Sequence, residues 1–270
     1  MKMILSAKLA SALVAVGVGM GSAQAAFIPL GNTNYFQNFN TLPSSGKSKT
    51  LPPGWAMFFP GDSDINMYAD NGSSSMSRFY SYGNTGSSDR AFGVLGDSSQ
   101  TARPVFGANF QNDSGGAINR LNISYTGQEW RLGAQGRGPD TLQFQYSLNA
   151  KSVGDTAATW LNAPALNFLT PNLTGVGAHN GDLAANQTQL ASSIGFLNIP
   201  SGGTFWVRWM DVGVPGGGPE DGLAVDNFSI SAVPEAETLA AGGGMTLLLL
   251  FVFWKRGGRQ SANVPAPGLA

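Results

Sequence analysis

Leu142-Gln143-Phe144-Gln145-Tyr146-Ser147 alternates apolar and polar residues without a break, and Leu121-Asn122-Ile123-Ser124-Tyr125 does the same upstream. A period of two places successive side chains on opposite faces of a strand. Leu121, Ile123, Tyr125, Leu142, Phe144, Tyr146 and Leu148 are therefore expected to face a core, and the intervening Asn, Gln and Ser to face water.

Outward from these two runs, short β-type segments recur between Gly-, Ser- and Asn-rich turns, at 78–82, 91–95, 105–110, 118–125, 165–168, 204–210 and 223–230. No long stretch carries apolar residues at helical spacing, and no internal repeat stands out. Many short strands without intervening helices predict an all-β domain, an antiparallel β-sandwich or jelly roll. Residues 170–193 read as a long loop or as one short helix over 182–190.

Thr204 to Asp211, a Gly/Pro-rich connection over 212–222, and Leu223 to Ile230 read as a hairpin with an extended loop. In the second arm the apolar parity changes at Asp226-Asn227, which predicts either a bulge or a strand buried on both faces. If Asp226 shares the face of Phe228 and Ile230, its carboxylate needs a partner. Arg208 is one candidate. A calcium ion held with Asp211, Glu220 and Asp221 is another, and a solvated loop is the plain alternative.

The formal net charge of -1 and pI near 5.8 leave no electrostatic footprint for nucleic acid. With no cysteine, the domain must be stabilised by packing, with or without a metal.

Candidates for chemistry are sparse. A nucleophilic triad needs a general base, but His179 is the single histidine and no G-x-S-x-G elbow accompanies it, so it reads as a surface residue. A glycosidase needs two carboxylates with separated roles. Between 26 and 232 the glutamates are Glu129 and Glu220; Glu129 reads as an ion-paired strand-end residue, with a sugar cleft beside Trp130 as the alternative. Asp62, Asp64, Asn66 and Asp70 match the oxygen spacing of a calcium loop, but Met67 stands where glycine is required and Ser73 where glutamate is, so this reads as an acidic surface loop. Trp55, after the turn Leu51-Pro52-Pro53-Gly54, and Trp130 could stack on a glycan, although most tryptophans of such a sandwich are expected in its core and Trp55 is expected to close one end of it.

Both ends differ from the middle. Lys2 and Lys8, an apolar run and Ala23-Gln24-Ala25 form a secretory signal peptide over 1–25, read by the Sec export machinery. Near the other end, Val233-Pro234-Glu235 precedes an apolar stretch from Thr238 to Trp254, followed at once by Lys255, Arg256 and Arg259. At roughly 1.5 Å per residue this single hydrophobic helix is about 25 Å long, barely enough to cross the inner membrane. The basic flank places that side in the cytoplasm.

This order of motif, apolar helix and basic cluster resembles the PEP-CTERM sorting signal of Gram-negative bacteria that make exopolysaccharide. The resemblance implies recognition of Val233, Pro234 and Glu235 by an exosortase and release to the cell surface. The usual third residue of the motif is proline, where this chain has Ala236, and the tail over 260–270 exceeds the usual abrupt basic end. Tyr125 to Arg131, Phe205 to Asp211 and Asp221 to Phe228 also resemble an extracellular domain common in PEP-CTERM proteins. Ala224-Val225-Asp226-Asn227-Phe228 is similar, more loosely, to the last strand of jelly-roll carbohydrate-binding modules.

The chain thus divides into a signal peptide (1–25), an extracellular β-sandwich (26–232), a sorting segment (233–259) and a tail (260–270). The leading expectation is a non-catalytic protein of the cell surface or exopolysaccharide matrix, with a glycan as its ligand. A surface hydrolase of glycans and a permanently membrane-tethered protein are the alternatives.

Overall fold

The computed structural model describes residues 26–96, 103–214 and 218–234. The signal peptide, the hydrophobic helix, its basic flank and the tail lie outside the described residues.

Strands β1 (Ile28–Leu30), β2 (Tyr35–Gln37), β3 (Lys47–Ser48), β4 (Trp55–Phe58), β5 (Met67–Asp70) and β6 (Arg78–Tyr82) come first. Strands β7 (Ala91–Leu95), β8 (Val105–Asn112), β9 (Ile118–Leu132), β10 (Thr141–Ser147), β11 (Leu161–Asn162) and β12 (Phe168–Leu169) follow. The described chain ends with β13 (Gly177–Ala178), β14 (Gln187–Ile194), β15 (Thr204–Val212) and β16 (Gly222–Pro234). Among the described residues helix is confined to two 3-10 turns, Pro164–Leu166 and Ala184–Asn186. Among the described residues no helix is long and apolar enough to cross a membrane.

The strands form two sheets. The first runs β1-β8-β15-β10-β11, with β4 beside β1 on the edge of β8 and β12 beside β11 on the edge of β10. The second runs β13-β9-β16-β7-β6-β5-β3, with β14 beside β13 on β9 and β2 beside β7 on β16. Pairing is antiparallel except for β1 with β8 and β5 with β6.

The two alternating runs that predicted the fold lie on opposite sheets and face each other across one core. Leu121, Ile123 and Tyr125 of β9 enter it from the second sheet, Leu142 and Phe144 of β10 from the first. Tyr146 is half-buried against that core, while Leu148, expected inside, follows the end of β10 and is 42% exposed. Trp209 stands at the centre. Its indole stacks on Trp55 at 6.0 Å and on Phe106 at 5.6 Å, and it meets Tyr125, Phe144 and Phe228 edge-on. Offset and edge-to-face contacts of this kind add to the area each ring removes from water.

The parity change at Asp226-Asn227 is a bulge. Asp226 pairs with Thr126 and Ser229 with Ser124, so Asn227 and Phe228 together oppose Tyr125. Asn227 takes φ 49, in the left-handed region that Asn tolerates best among non-glycine residues. The extra residue lets Leu223, Val225, Phe228 and Ile230 all reach the core and turns Asp226 to the other face.

Two segments depart from the expected elements. Ala165 and Leu166, read as strand, lie in the 3-10 turn, which Pro164 starts with a fixed φ and no N–H to satisfy. The stretch read as a loop or as a short helix over 182–190 holds the single 3-10 turn Ala184–Asn186 and then the start of β14, paired with β9 without a break from Gln187 to Ile194. Its Gln-Thr-Gln-Leu-Ala-Ser-Ser-Ile sequence shows no alternation, since Leu190 and Ile194 alone in it touch the core.

Candidate functional site

A concavity that sets aromatic and aliphatic walls beside charged groups lies by the β5 and β6 strands. A cleft of about 420 Å³ is walled by Phe59, Ile65 and Tyr68 and rimmed by Asp62, Asp64, Asn66, Ser77 and Arg78. Phe59 packs edge-on against the core ring Phe79 at 6.2 Å, which holds the wall rigid. The Arg78 guanidinium covers one face of Tyr68 at 4.3 Å from the ring centroid. This is the stretch with partial calcium-loop spacing. Its oxygens do not converge: Asp62 accepts from the Asp64 amide at 2.8 Å, Asp64 pairs with Lys49, and Asp70 accepts from Gly72 and Ser74 amides in the next turn. The Lys49 ammonium, by hydrogen bond and charge, holds Asp64 below the usual carboxylate range. Asp62 and Asp64 are exposed, so their remaining lone pairs face water.

A second polar region has the opposite construction. Asp140 and Asp221 are fully buried where the connection after β9 meets the β15–β16 loop. Asp140 takes both arms of Arg137 and the amides of Val214 at 2.9 Å and Asp221 at 2.7 Å. Asp221 accepts from the Gly133 amide at 2.7 Å, Arg137 at 2.9 Å and the Thr170 hydroxyl at 2.6 Å. Such fork-shaped, charge-assisted bonding satisfies both carboxylates and ties three loops together. Neither Arg137 nor Asp140 stood out in the sequence; an Arg-Gly-Pro-Asp turn gives no pattern beyond its turn. Asp211 and Glu220 lie against this node, and burial followed by the charge of Glu220 pushes the Asp211 carboxyl well above its ordinary pKa.

The expected calcium set is therefore split. Asp211, Glu220 and Asp221 share one end of the sandwich, whereas Asp226, turned outward by the bulge, accepts from its neighbour Asn227 through the amide at 2.7 Å and Nδ2 at 3.0 Å. Burial, with Asp89 and Asp182 adding negative charge, raises Asp226 to about 7. Arg208 is not its partner. It sits on the outer face of the first sheet, flat on Trp160 at 3.6 Å, bonded to Gln145 and to the Val153 carbonyl at 2.8 Å each, and burial lowers its pKa to about 10. Among the described residues no group of three or more His, Cys, Asp or Glu side chains is placed to hold a metal ion.

His179 is not a free surface residue. Its Nδ1 lies 2.8 Å from Glu129 Oε1 and its Nε2 2.6 Å from the Gly175 carbonyl, while the Asn172 amide donates to Glu129 Oε2 at 2.9 Å. Burial raises Glu129 to about 7. The pair clasps the 172–180 segment onto β9, and the carboxylate is fully buried.

The tryptophans assigned to sugar stacking are both inside. Trp55 opens β4 at 6% exposure in the central aromatic stack. Trp130, 1% exposed, stacks on Tyr82 at 5.9 Å beneath Gly72 and Gly181. A Cβ on Gly72 would fall 1.7 Å from the Trp130 carbonyl oxygen, and its φ of +88 is itself a glycine conformation. Neither indole presents a face to a ligand. Of the sorting motif, Val233 and Pro234 extend β16, paired with Arg120 and Ile118, while Glu235 and the basic residues Lys255, Arg256 and Arg259 lie outside the described residues.

No family profile and no characterised relative matches the sequence. Among solved structures the chain is similar to TmCBM61, solved with beta-1,4-galactotriose, at 8% identity and TM-score 0.34 over 66% of this chain and 88% of that one. It is also similar to the K3 cleaved adhesin domain of Lys-gingipain from Porphyromonas gingivalis, at 12% identity and TM-score 0.36 over 67% and 92%. The xylan-binding module CBM15 gives 13% identity and TM-score 0.31 over 76% and 100%. At these scores the functional reading rests on this chain's own residues.

Proposed function

We propose that this chain is an exported protein of the cell surface or exopolysaccharide matrix, and that its sandwich binds a glycan at the β5–β6 cleft without cleaving it. The observation that carries this is the cleft's composition. Apolar walls at Phe59, Ile65 and Tyr68 stand beside exposed carboxylates and half-buried amide and guanidinium groups, and a sugar ring likewise offers apolar C–H faces beside hydroxyls that both donate and accept. Binding without turnover is supported by the carboxylates: at the cleft Lys49 holds Asp64 below the usual carboxylate range, the wrong direction for a general acid, and the two glutamates of the domain lie elsewhere. Glu129 is fully buried under His179, and Glu220 is 4% exposed beside Asp211, so neither stands free at this cleft.

Export and sorting are supported by the sequence ends: an A-x-A signal peptide, and the Val-Pro-Glu, apolar helix and basic cluster order. Glycan-array binding paired with a reducing-sugar assay on the full-length chain tests the first part. Retention without release of sugar is expected, and release abolished by Glu129→Gln or Glu220→Gln would overturn it. Intact-mass measurement of the mature product tests the second. Loss of the segment containing 247–259 is expected, and its retention would mark a permanent membrane tether.

A further inference from the structure

At Asp211 a buried carboxyl meets no donor. The residue is 2% exposed on β15, and neither Oδ1 nor Oδ2 has a hydrogen-bond partner. Glu220 converges on the same point, since a Cβ on Gly96 would lie 2.0 Å from Asp211 Oδ2 and 2.4 Å from Glu220 Oε2. A Cβ on Gly213 would lie 2.1 Å from Glu220 Oε1, so glycine on two sides lets main chain close directly onto the carboxyls. Two carboxylates cannot donate to each other, and such an approach requires either a shared proton or a cation between them.

The surroundings offer a cation both charge and a second orphaned oxygen. Asp140 and Asp221 add negative potential, and the guanidinium that neutralises this end, Arg137, is bonded to those two residues. The hydroxyl of Tyr82, buried and also without a partner, comes within 2.6 Å of where a Gly222 Cβ would stand, and the Asp211 charge acts on it. An orphaned oxygen of this kind in a packed interior marks the place of a water or an ion. Access exists through a cleft of about 270 Å³ lined by Leu95, Gly96, Arg131, Pro219 and Glu220. Among the described residues of that lining the one cation, Arg131, donates away to the Gly72 and Ser73 carbonyls.

We propose that Asp211 and Glu220 bind a hard divalent cation, calcium, whose remaining coordination comes from main-chain oxygens and water. With two carboxylates as its anionic ligands, the site belongs with the weak calcium sites of extracellular modules, with Kd on the order of 10⁻⁴ to 10⁻³ M. The choice of calcium rests on the export reading above; binding of the cation as such does not, and neither depends on a glycan.

The test compares melting of the full-length protein at neutral pH in chelator, in millimolar calcium and in millimolar magnesium. Calcium is expected to raise Tm by about 3 to 5 °C and magnesium by less. Asp211→Asn should lose that response and melt in chelator no lower than the wild type, because its amide can donate to Glu220, where the metal-free carboxyl needs a proton to do so. Terbium emission sensitised by Tyr82 should appear in the wild type and vanish in Asp211→Asn. Should that variant not fold, Glu220→Gln serves the same comparison. Equal melting under all three conditions, or a calcium response that survives both substitutions, would overturn the proposal.

Discussion

The β5–β6 cleft and the Arg137 end of the sandwich each gather carboxylates, yet they treat them in opposite ways. At the cleft, Asp62 and Asp64 lie in water with one backbone amide, one lysine and the Asn66 side-chain amide as their donors. At the other end, Asp140 and Asp221 are fully buried and every oxygen has a donor, while Asp211 beside them has none. A solvated carboxylate costs the fold little and keeps lone pairs for a ligand. A buried one must be neutralised on the spot, so it ties loops together or holds an ion. Burial, more than residue type, therefore separates the groups available for recognition from those committed to structure.

The contrast can be broken most forcefully at Arg137. Arg137→Met leaves Asp140 and Asp221 buried without their guanidinium and should cost about 3 to 5 kcal/mol in urea denaturation at neutral pH. A loss no larger than that of an exposed arginine would mean the node is solvated.

Next in size is the pH response of Asp226. The native carboxyl keeps its proton to about 7 because it is buried, whereas the unfolded one releases it near 3.8. Between these values the native state binds more protons, so this group's contribution is full below the lower value and declines as pH rises through the upper one. The decline should amount to a few kcal/mol, each pKa unit being worth about 1.4 kcal/mol. Asp226→Asn should flatten that slope and stabilise the protein above neutrality; an unchanged slope would place the titration elsewhere.

The cleft predicts smaller stability effects and a larger functional one. Asp62→Ala combined with Asn66→Ala should shift unfolding by no more than about 0.5 kcal/mol per substitution and lower glycan retention at least about tenfold. Smallest of all, Lys49→Ala, which removes an exposed partner of Asp64, should leave Tm unchanged while altering the salt dependence of retention.

The sequence revealed the core more readily than the sites, for reasons the same contrast explains. Alternation at Leu121 to Tyr125 and Leu142 to Phe144 reports directly which face is buried, and the parity change at Asp226-Asn227 reports a bulge. Strand β14 was hidden because it lies at a sheet edge with Leu190 and Ile194 as its inward anchors, so the period of two is lost among Gln, Thr and Ser. The carboxylates were harder still. Asp226 was grouped with Asp211 because they are near in sequence, but the extra residue at Asn227 turns it to the outer face. Asp140 joins Asp221 through an arginine three residues upstream, and that pairing exists only once the β9 and β15 connections meet. The cleft combines Phe59 to Tyr68 with Ser77 to Phe79, and parallel pairing of β5 with β6, not local spacing, brings those segments together.

Quantitative binding of the full-length chain to an immobilised glycan series, run beside Asp62→Ala/Asn66→Ala and followed by a reducing-end assay, probes the account at its centre. Wild-type retention lost in the double variant at unchanged Tm, with no sugar released by either protein, is the predicted result. Retention identical in both proteins, or release of reducing ends by the wild type, would contradict it.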